Sequence, residues 1–134
     1  MHITFEQIRE QGEKIRAFMK EKFPEVALDN STATVEWIEG YISRNRNVFS
    51  EERRYAWAVS FGYLIGESII AVFGGEWSYD EKTDTWGVQI PGCGWANPIG
   101  KTDKFLVSDA DSVLSFFRII GAAVEKGGID KLNK

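Results

Sequence analysis

Histidine and cysteine are almost missing from this chain: one of each is present, His2 and Cys93. That scarcity excludes a Cys/His metal set, and it leaves a serine or cysteine nucleophile no imidazole base except one beside the first residue. Cys93 sits in Pro91-Gly92-Cys93-Gly94-Trp95 with no basic residue near it in sequence, so it reads as a small turn residue rather than an activated thiol. A single thiol forms no internal disulfide, which fits a reducing compartment. No basic stretch followed by an apolar one opens the chain, so no signal peptide is expected and the expected location is cytoplasmic. Positive charge is also in deficit. Sixteen Lys and Arg stand against 20 Asp and Glu, for a net charge of −4, whereas nucleic-acid binding draws on a Lys/Arg excess. Arg44, Arg46, Arg53 and Arg54 are close in sequence, but Glu51 and Glu52 lie between them, and no nucleic-acid partner is expected. Phosphate-loop and dinucleotide fingerprints are absent, and Gly92-Cys93-Gly94 lacks the strand-turn-helix setting that gives such glycines meaning. No cofactor is expected.

Apolar and aromatic residues, by contrast, are plentiful. The chain is 43% hydrophobic with five Trp, nine Phe and four Tyr in 134 residues, enough to bury one core without staples. The run from Ala56 to Phe73 is apolar nearly all round and reads as a central core helix. Its length approaches that of a membrane span, but Glu67 lies well inside it, where a carboxylate costs about 2.5–3.5 kcal/mol on insertion scales. No membrane partner is expected.

Periodicity organises the rest. Phe5, Ile8, Ile15, Phe18 and Met19 mark an amphipathic helix over about 3–22, with Thr4 and Gln7 as a capping pair and Phe23-Pro24 as its end. Asp29-Asn30-Ser31-Thr32 is turn and cap chemistry ahead of a second helix over 33–45, with Val35, Ile38 and Ile42 inward and a Trp37–Tyr41 pair beside them. The third helix spans 51–73. Tyr55, Val59, Gly62, Gly66, Ile69 and Phe73 share a face whose two glycines admit a close neighbour. Arg53, Ser60, Leu64, Glu67 and Ala71 take the opposite face, with Trp57 at its edge. Gly74-Gly75 stop the helix. The period then changes to two. Trp77 and Tyr79 mark one strand, Trp86, Val88 and Ile90 a second, and 94–99 a third, with 101–107 as a fourth short strand or loop. Ser108 to Asp111 opens a last helix, Gly127-Gly128 closes it, and 129–134 reads as a loose tail.

The segments Gly62-Tyr-Leu-Ile-Gly-Glu-Ser-Ile-Ile70, Phe73-Gly-Gly-Glu-Trp77, Trp86-Gly-Val88, Ala96-Asn-Pro98 with Lys101, and Asp111-Ser-Val-Leu-Ser-Phe-Phe117 resemble a group of small bacterial domains of uncharacterised activity. Those domains carry a Gly-Glu core helix, a Gly-Gly-x-Trp start to a strand and an Asp-Ser-x-Leu-Ser-Phe helix. The resemblance covers about 37–120 and associates the chain with proteins encoded near secreted bacterial toxins. It implies an immunity role and transfers no catalytic residues.

Among the remaining candidates, Asp80, Glu81 and Asp84, or Asp103, Asp109 and Asp111, are carboxylates in reach of a hard cation, but neither run has the pattern of a calcium loop; a solvated hairpin and a helix cap account for them. Glu67 is the residue of most interest. A carboxylate on a core helix must be paired, hydrogen-bonded or exposed at a seam. Lys101, Arg53 and the Trp77 indole are its candidate partners, as a polar tie or as a ligand-binding group. Tyr79, Trp86 and Trp95 are candidates for an interaction surface. The expectation is one α+β domain over 1–134: a mainly helical part over 1–75, a meander over 76–107 and a C-terminal helix over 108–128. About four helices pack on one face of a three- to four-stranded antiparallel meander. The expected function is non-enzymatic binding of a protein partner, most concretely as an immunity-type inhibitor of a bacterial toxin. The alternative is a small-molecule-binding protein or enzyme with a pocket between the central helix and the sheet.

Overall fold

A computed structural model describes residues 3–127; the expectations for His2, for Gly128 and for the 129–134 tail lie outside the described residues. The fold is α+β. Helices α1 (Phe5–Lys22), α2 (Thr32–Asn45) and α3 (Arg54–Phe73) are followed by strands β1 (Glu76–Asp80), β2 (Thr85–Ile90) and β3 (Gly94–Ala96), then by helices α4 (Pro98–Phe105) and α5 (Val113–Lys126). The strands form an antiparallel meander in the order β1-β2-β3. Its register sets Trp77 opposite Val88, Tyr79 opposite Trp86, and Val88 opposite Ala96.

Helix α3 is the axis around which the rest is laid. From Ala58 to Gly66 it is buried without interruption, and Ser68 and Ile69 are buried beyond that. By length and composition the stretch Glu51–Phe73, with a mean hydropathy of 1.6, is apolar enough to cross a membrane. Here its middle is covered by the other helices and β2, while Tyr55 near its start and Val72 near its end stay exposed. The two glycines of its one face serve close approach. A methyl group on Gly62 would lie 2.6 Å from the Ile99 Cα of α4, and one on Gly66 would lie 2.3 Å from the Trp77 ring. After Phe73 the chain leaves through Gly75 at φ 123°, a left-handed conformation that glycine adopts without penalty, with the Gln89 carbonyl directly alongside.

Local sequence accounts for the other boundaries. Thr4 and Gln7 exchange side-chain-to-backbone hydrogen bonds of 2.8 and 3.2 Å at the start of α1, satisfying two otherwise orphaned donors. Before α2, the Ser31 hydroxyl donates to Asp29 at 2.6 Å, and that bond is the main cause holding the Asp29 carboxyl below the ordinary aspartate range. Helix α5 is capped by Ser112, whose hydroxyl accepts from Ser115 N, and by Glu39 of α2, which accepts from Leu114 N at 3.0 Å. A carboxylate there also opposes the positive end of the helix dipole. Gly127 at φ 86° ends α5.

Two elements differ from the sequence reading. The last helix begins at Val113 rather than in the stretch Ser108 to Asp111, because Ser112 caps it and Asp109–Asp111 form a separate short 3-10 turn. The third strand stops at Ala96, and residues 98–105 form α4 instead of continuing the sheet. The physical reason lies in Asn97-Pro98. The Asn97 side chain accepts from Gly100 N at 2.9 Å, and proline is preorganised for the first helical position, where its missing N–H costs nothing. The expected fourth strand or loop over 101–107 is therefore mostly helix. Three ion pairs then fix α4 and the turn after it: Arg54–Asp103 at 2.9 Å, Arg46–Asp109 at 2.6 Å and Lys101–Asp111 at 3.2 Å.

Candidate functional site

Glu67 lies at the edge of the core, half-buried on the C-terminal half of α3. Of its expected partners, the Trp77 indole donates to its Oε2 at 3.0 Å. The Trp77 ring stacks on Tyr63 with centroids 5.9 Å apart and planes 7° off parallel, and Phe5 of α1 closes the cluster at 5.6 Å from Trp77 and 6.4 Å from Tyr63. The buried Tyr63 hydroxyl lies between Glu67 and Glu13 of α1. Burial, with these two carboxylates, raises its phenol far above the ordinary tyrosine range. The cluster thus joins α1, α3 and β1 through one carboxylate-centred set of contacts.

The other two expected partners of Glu67 are elsewhere. Lys101 pairs with Asp111 at 3.2 Å, because 98–105 is helical and directs Lys101 toward the turn ahead of α5. Arg53 is fourteen residues before Glu67 on the same helical axis, which at 1.5 Å per residue puts them about 21 Å apart. The space beside Glu67 is filled, since the Trp77 ring occupies the volume that Gly66 leaves and Pro98 flanks it. The pocket expected from Glu67 and Lys101 together is not formed.

The expected interaction surface divides in the same way. Trp86 faces inward: its indole donates to the Ile3 carbonyl at 2.8 Å and its ring is 5.5 Å from Phe5. Tyr79 sits at the rim of that face, 5.4 Å from Trp86. Its hydroxyl donates to Asp84 at 2.6 Å, and this bond is the first cause of a phenol pushed up to about 12. Trp95 alone lies on the outer face of the sheet. It covers Gly87, where an added methyl would come within 2.4 Å of the indole ring, and its indole nitrogen is shielded from solvent with no acceptor among the described residues. Cys93 is half-buried in its turn against the core.

The two carboxylate runs are separated by their partners. Asp103, Asp109 and Asp111 each pair with a different cation, and Asp80 accepts from the Lys82 backbone and the Thr83 hydroxyl within the hairpin. Among the described residues no group of three metal-ligating side chains is assembled.

Two recesses flank α3. A cleft at the seam of α3, the hairpin and α4 encloses about 110 Å³ and is lined by Tyr55, Asp84, Trp86, Asn97, Ile99 and Asp103, among others. Desolvation, with Asp84 and Asp103 nearby, raises the Tyr55 phenol. The second recess is an open groove of about 440 Å³ between α1 and the first two turns of α3. Gln11, Lys14, Ile15 and Phe18 form one wall, and Arg53, Ala56, Trp57 and Ser60 form the other. Phe18 is 49% exposed there, while Trp57 is anchored from behind by Phe61, stacked at 5.7 Å, and by Phe49 at 5.0 Å. Sequence reasoning assigned this groove no role. Its signal was present in the exposed side of the first apolar stripe, at Phe18, and in Trp57 at the edge of the polar face of α3.

Comparison of the chain with family models, with curated proteins and with solved structures finds no match.

Proposed function

We propose that the protein acts by binding another protein without chemistry of its own, as an immunity-type inhibitor of a bacterial toxin. The observation that carries the reading is the open groove between α1 and α3. It joins an exposed Phe18 and an anchored Trp57 to a rim of charge, the combination of aromatic anchor and polar border from which protein interfaces draw most of their energy. The resemblance to domains encoded near secreted toxins supports the same reading. The small-molecule alternative rests on the seam cleft. At about 110 Å³ that cleft is smaller than the roughly 300–1,000 Å³ of pockets for drug-sized ligands, so the protein partner is favoured.

The test is neutralisation. The genes flanking this one are searched for a secreted toxin; such a toxin is expressed in a bacterial host with and without the protein, and the purified pair is titrated by calorimetry, while flanking genes that encode no toxin count against the reading. Relief of growth arrest with a saturable one-to-one complex is the expected result. Growth arrest that persists at full expression of the protein, with no heat of binding, sinks the reading.

A further inference from the structure

We propose that the α1/α3 groove receives an amphipathic helix of the partner whose apolar stripe is flanked by acidic residues; this rests on the reading of the protein as a protein-binding module. The walls show the spacing of a helix-packing seam. Gln11, Lys14, Ile15 and Phe18 fall at i, i+3, i+4 and i+7, and so do Arg53, Ala56, Trp57 and Ser60. Each wall is therefore one complete helical stripe of about 10 Å, and two such stripes side by side leave a trough into which the ridge of a third helix fits. Recognition of an amphipathic helix by an apolar groove with i, i+3, i+4, i+7 anchors is a recurring mode.

Charge sets the kind of helix. In a chain of net charge −4, this groove is lined by two cations and no carboxylate. One cation stands on each wall, Lys14 on α1 and Arg53 just ahead of α3. Arg16, Arg46 and Arg54 are each held by a carboxylate, but among the described residues neither Lys14 nor Arg53 has an acidic partner. A helix lying in the trough with glutamates on both flanks pairs with both rims, as flanking charges do along a coiled-coil seam. The same charges disfavour a second copy of this chain. A two-fold contact through the groove brings Lys14 and Arg53 of one copy against their own counterparts.

The experiment uses the full chain and a labelled helical peptide with leucines along one stripe and glutamates on both flanks, beside a counterpart with lysines in place of the glutamates. Fluorescence anisotropy is read at low and high salt. The glutamate peptide is expected to bind about tenfold or more tightly than the lysine peptide, with the difference shrinking in salt. The double variant Lys14→Glu with Arg53→Glu is expected to reverse the preference, and Phe18→Ser to weaken both peptides. These side chains are exposed, and a thermal melt equal to wild type shows the fold is kept. Equal binding of the two peptides, no binding of either, or a preference unchanged by the charge reversal overturns the proposal. A concentration-dependent dimer abolished by Phe18→Ser also overturns it and assigns the groove to a second copy. If the double variant still neutralises a toxin that wild type neutralises, the groove assignment fails while the binding reading stands. If wild type neutralises nothing, the binding reading fails.

Discussion

Replacing Gly66 by alanine sets two opposed effects of known size against each other. In the interior of α3 alanine is favoured over glycine by about 0.8–1.0 kcal/mol through backbone entropy alone. Against that, the new methyl carbon would lie 2.3 Å from Cζ2 and 2.4 Å from Cη2 of Trp77, whereas carbon atoms rest at about 3.5–4.0 Å. The ring must move by more than 1 Å by that difference, and it is held on two sides, by its hydrogen bond to Glu67 at 3.0 Å and its stack on Tyr63 at 5.9 Å. Overpacking costs about 1–3 kcal/mol and loss of the indole bond about 1 kcal/mol more. The net expectation for Gly66→Ala is a loss of about 1–3 kcal/mol, or roughly 3–10 °C in Tm for a chain of this size. Gly62→Ala is expected to behave alike, because its methyl meets the Ile99 backbone at 2.6 Å and α4 would have to yield. Gly40→Ala is the control. Its methyl meets only the far end of the Arg44 side chain, so the propensity gain survives, at about 0.5–1 kcal/mol of added stability. Urea unfolding followed by tryptophan fluorescence reads all three. A Gly66→Ala protein as stable as Gly40→Ala would refute the close-approach account of α3.

Three further outcomes are expected. Glu67→Ala strips the Trp77 indole of its acceptor and should cost about 1–2 kcal/mol, while Glu67→Gln keeps an acceptor and should cost less; equal urea midpoints for Glu67→Ala and wild type would remove the structural role of this carboxylate. Arg46 donates to the Phe105 carbonyl at 2.9 and 2.7 Å, pairs with Asp109 and lies over the Phe105 ring at 4.6 Å, so Arg46→Ala should lose about 1–3 kcal/mol, and Arg46→Lys, without the planar fork, should recover only part of it. All four tyrosines have raised phenols: Tyr41 and Tyr55 by desolvation, Tyr63 by desolvation with Glu67 and Glu13, and Tyr79 to about 12 by its bond to Asp84. Their unfolded phenols ionise first near pH 10 (about the free value), so the stability they contribute is complete below that and is lost as pH climbs toward 12; a urea midpoint that does not fall between pH 9 and about 11.5 would contradict it.

The helices were legible because their signals are local. Thr4 with Gln7 and Gly74-Gly75 each settle a helix end through backbone groups within a few residues. The same holds for β1 and β2, whose alternation reads directly as a half-covered hairpin. The exception, α4, is also local, but its signals conflict. Gly94, Trp95 and Ala96 pair with β2 as extended chain, and Asn97-Pro98 begins a helix two residues before the strand was expected to end.

The site was harder to read because contacts depend on distance along a helix as well as on its face. The angular position of Arg53 matches that of Glu67, yet the axial rise separates them and leaves Arg53 on the rim of the α1/α3 groove. Lys101 lies near Glu67 only if 94–107 runs as sheet; once it is helical, Asp111 is the partner. Trp77 was the one candidate whose register did not depend on that stretch, since Gly74-Gly75 fix how the chain reverses after α3. Trp86 and Trp95, both expected at one surface, lie on opposite faces of the sheet. They differ by an odd number of residues across a tight turn, and the antiparallel register places Trp95 opposite Gln89, so the two indoles emerge on opposite faces. Trp86 then fills the core against Phe5, and Trp95 takes up the space that Gly87 leaves outside. Three of the five tryptophans, Trp77, Trp86 and Trp95, are thereby committed to holding the sheet. Trp57 lies instead beside an exposed Phe18 and two cations, Lys14 and Arg53, that have no acidic partner among the described residues, and that juxtaposition is what the proposed docking groove rests on.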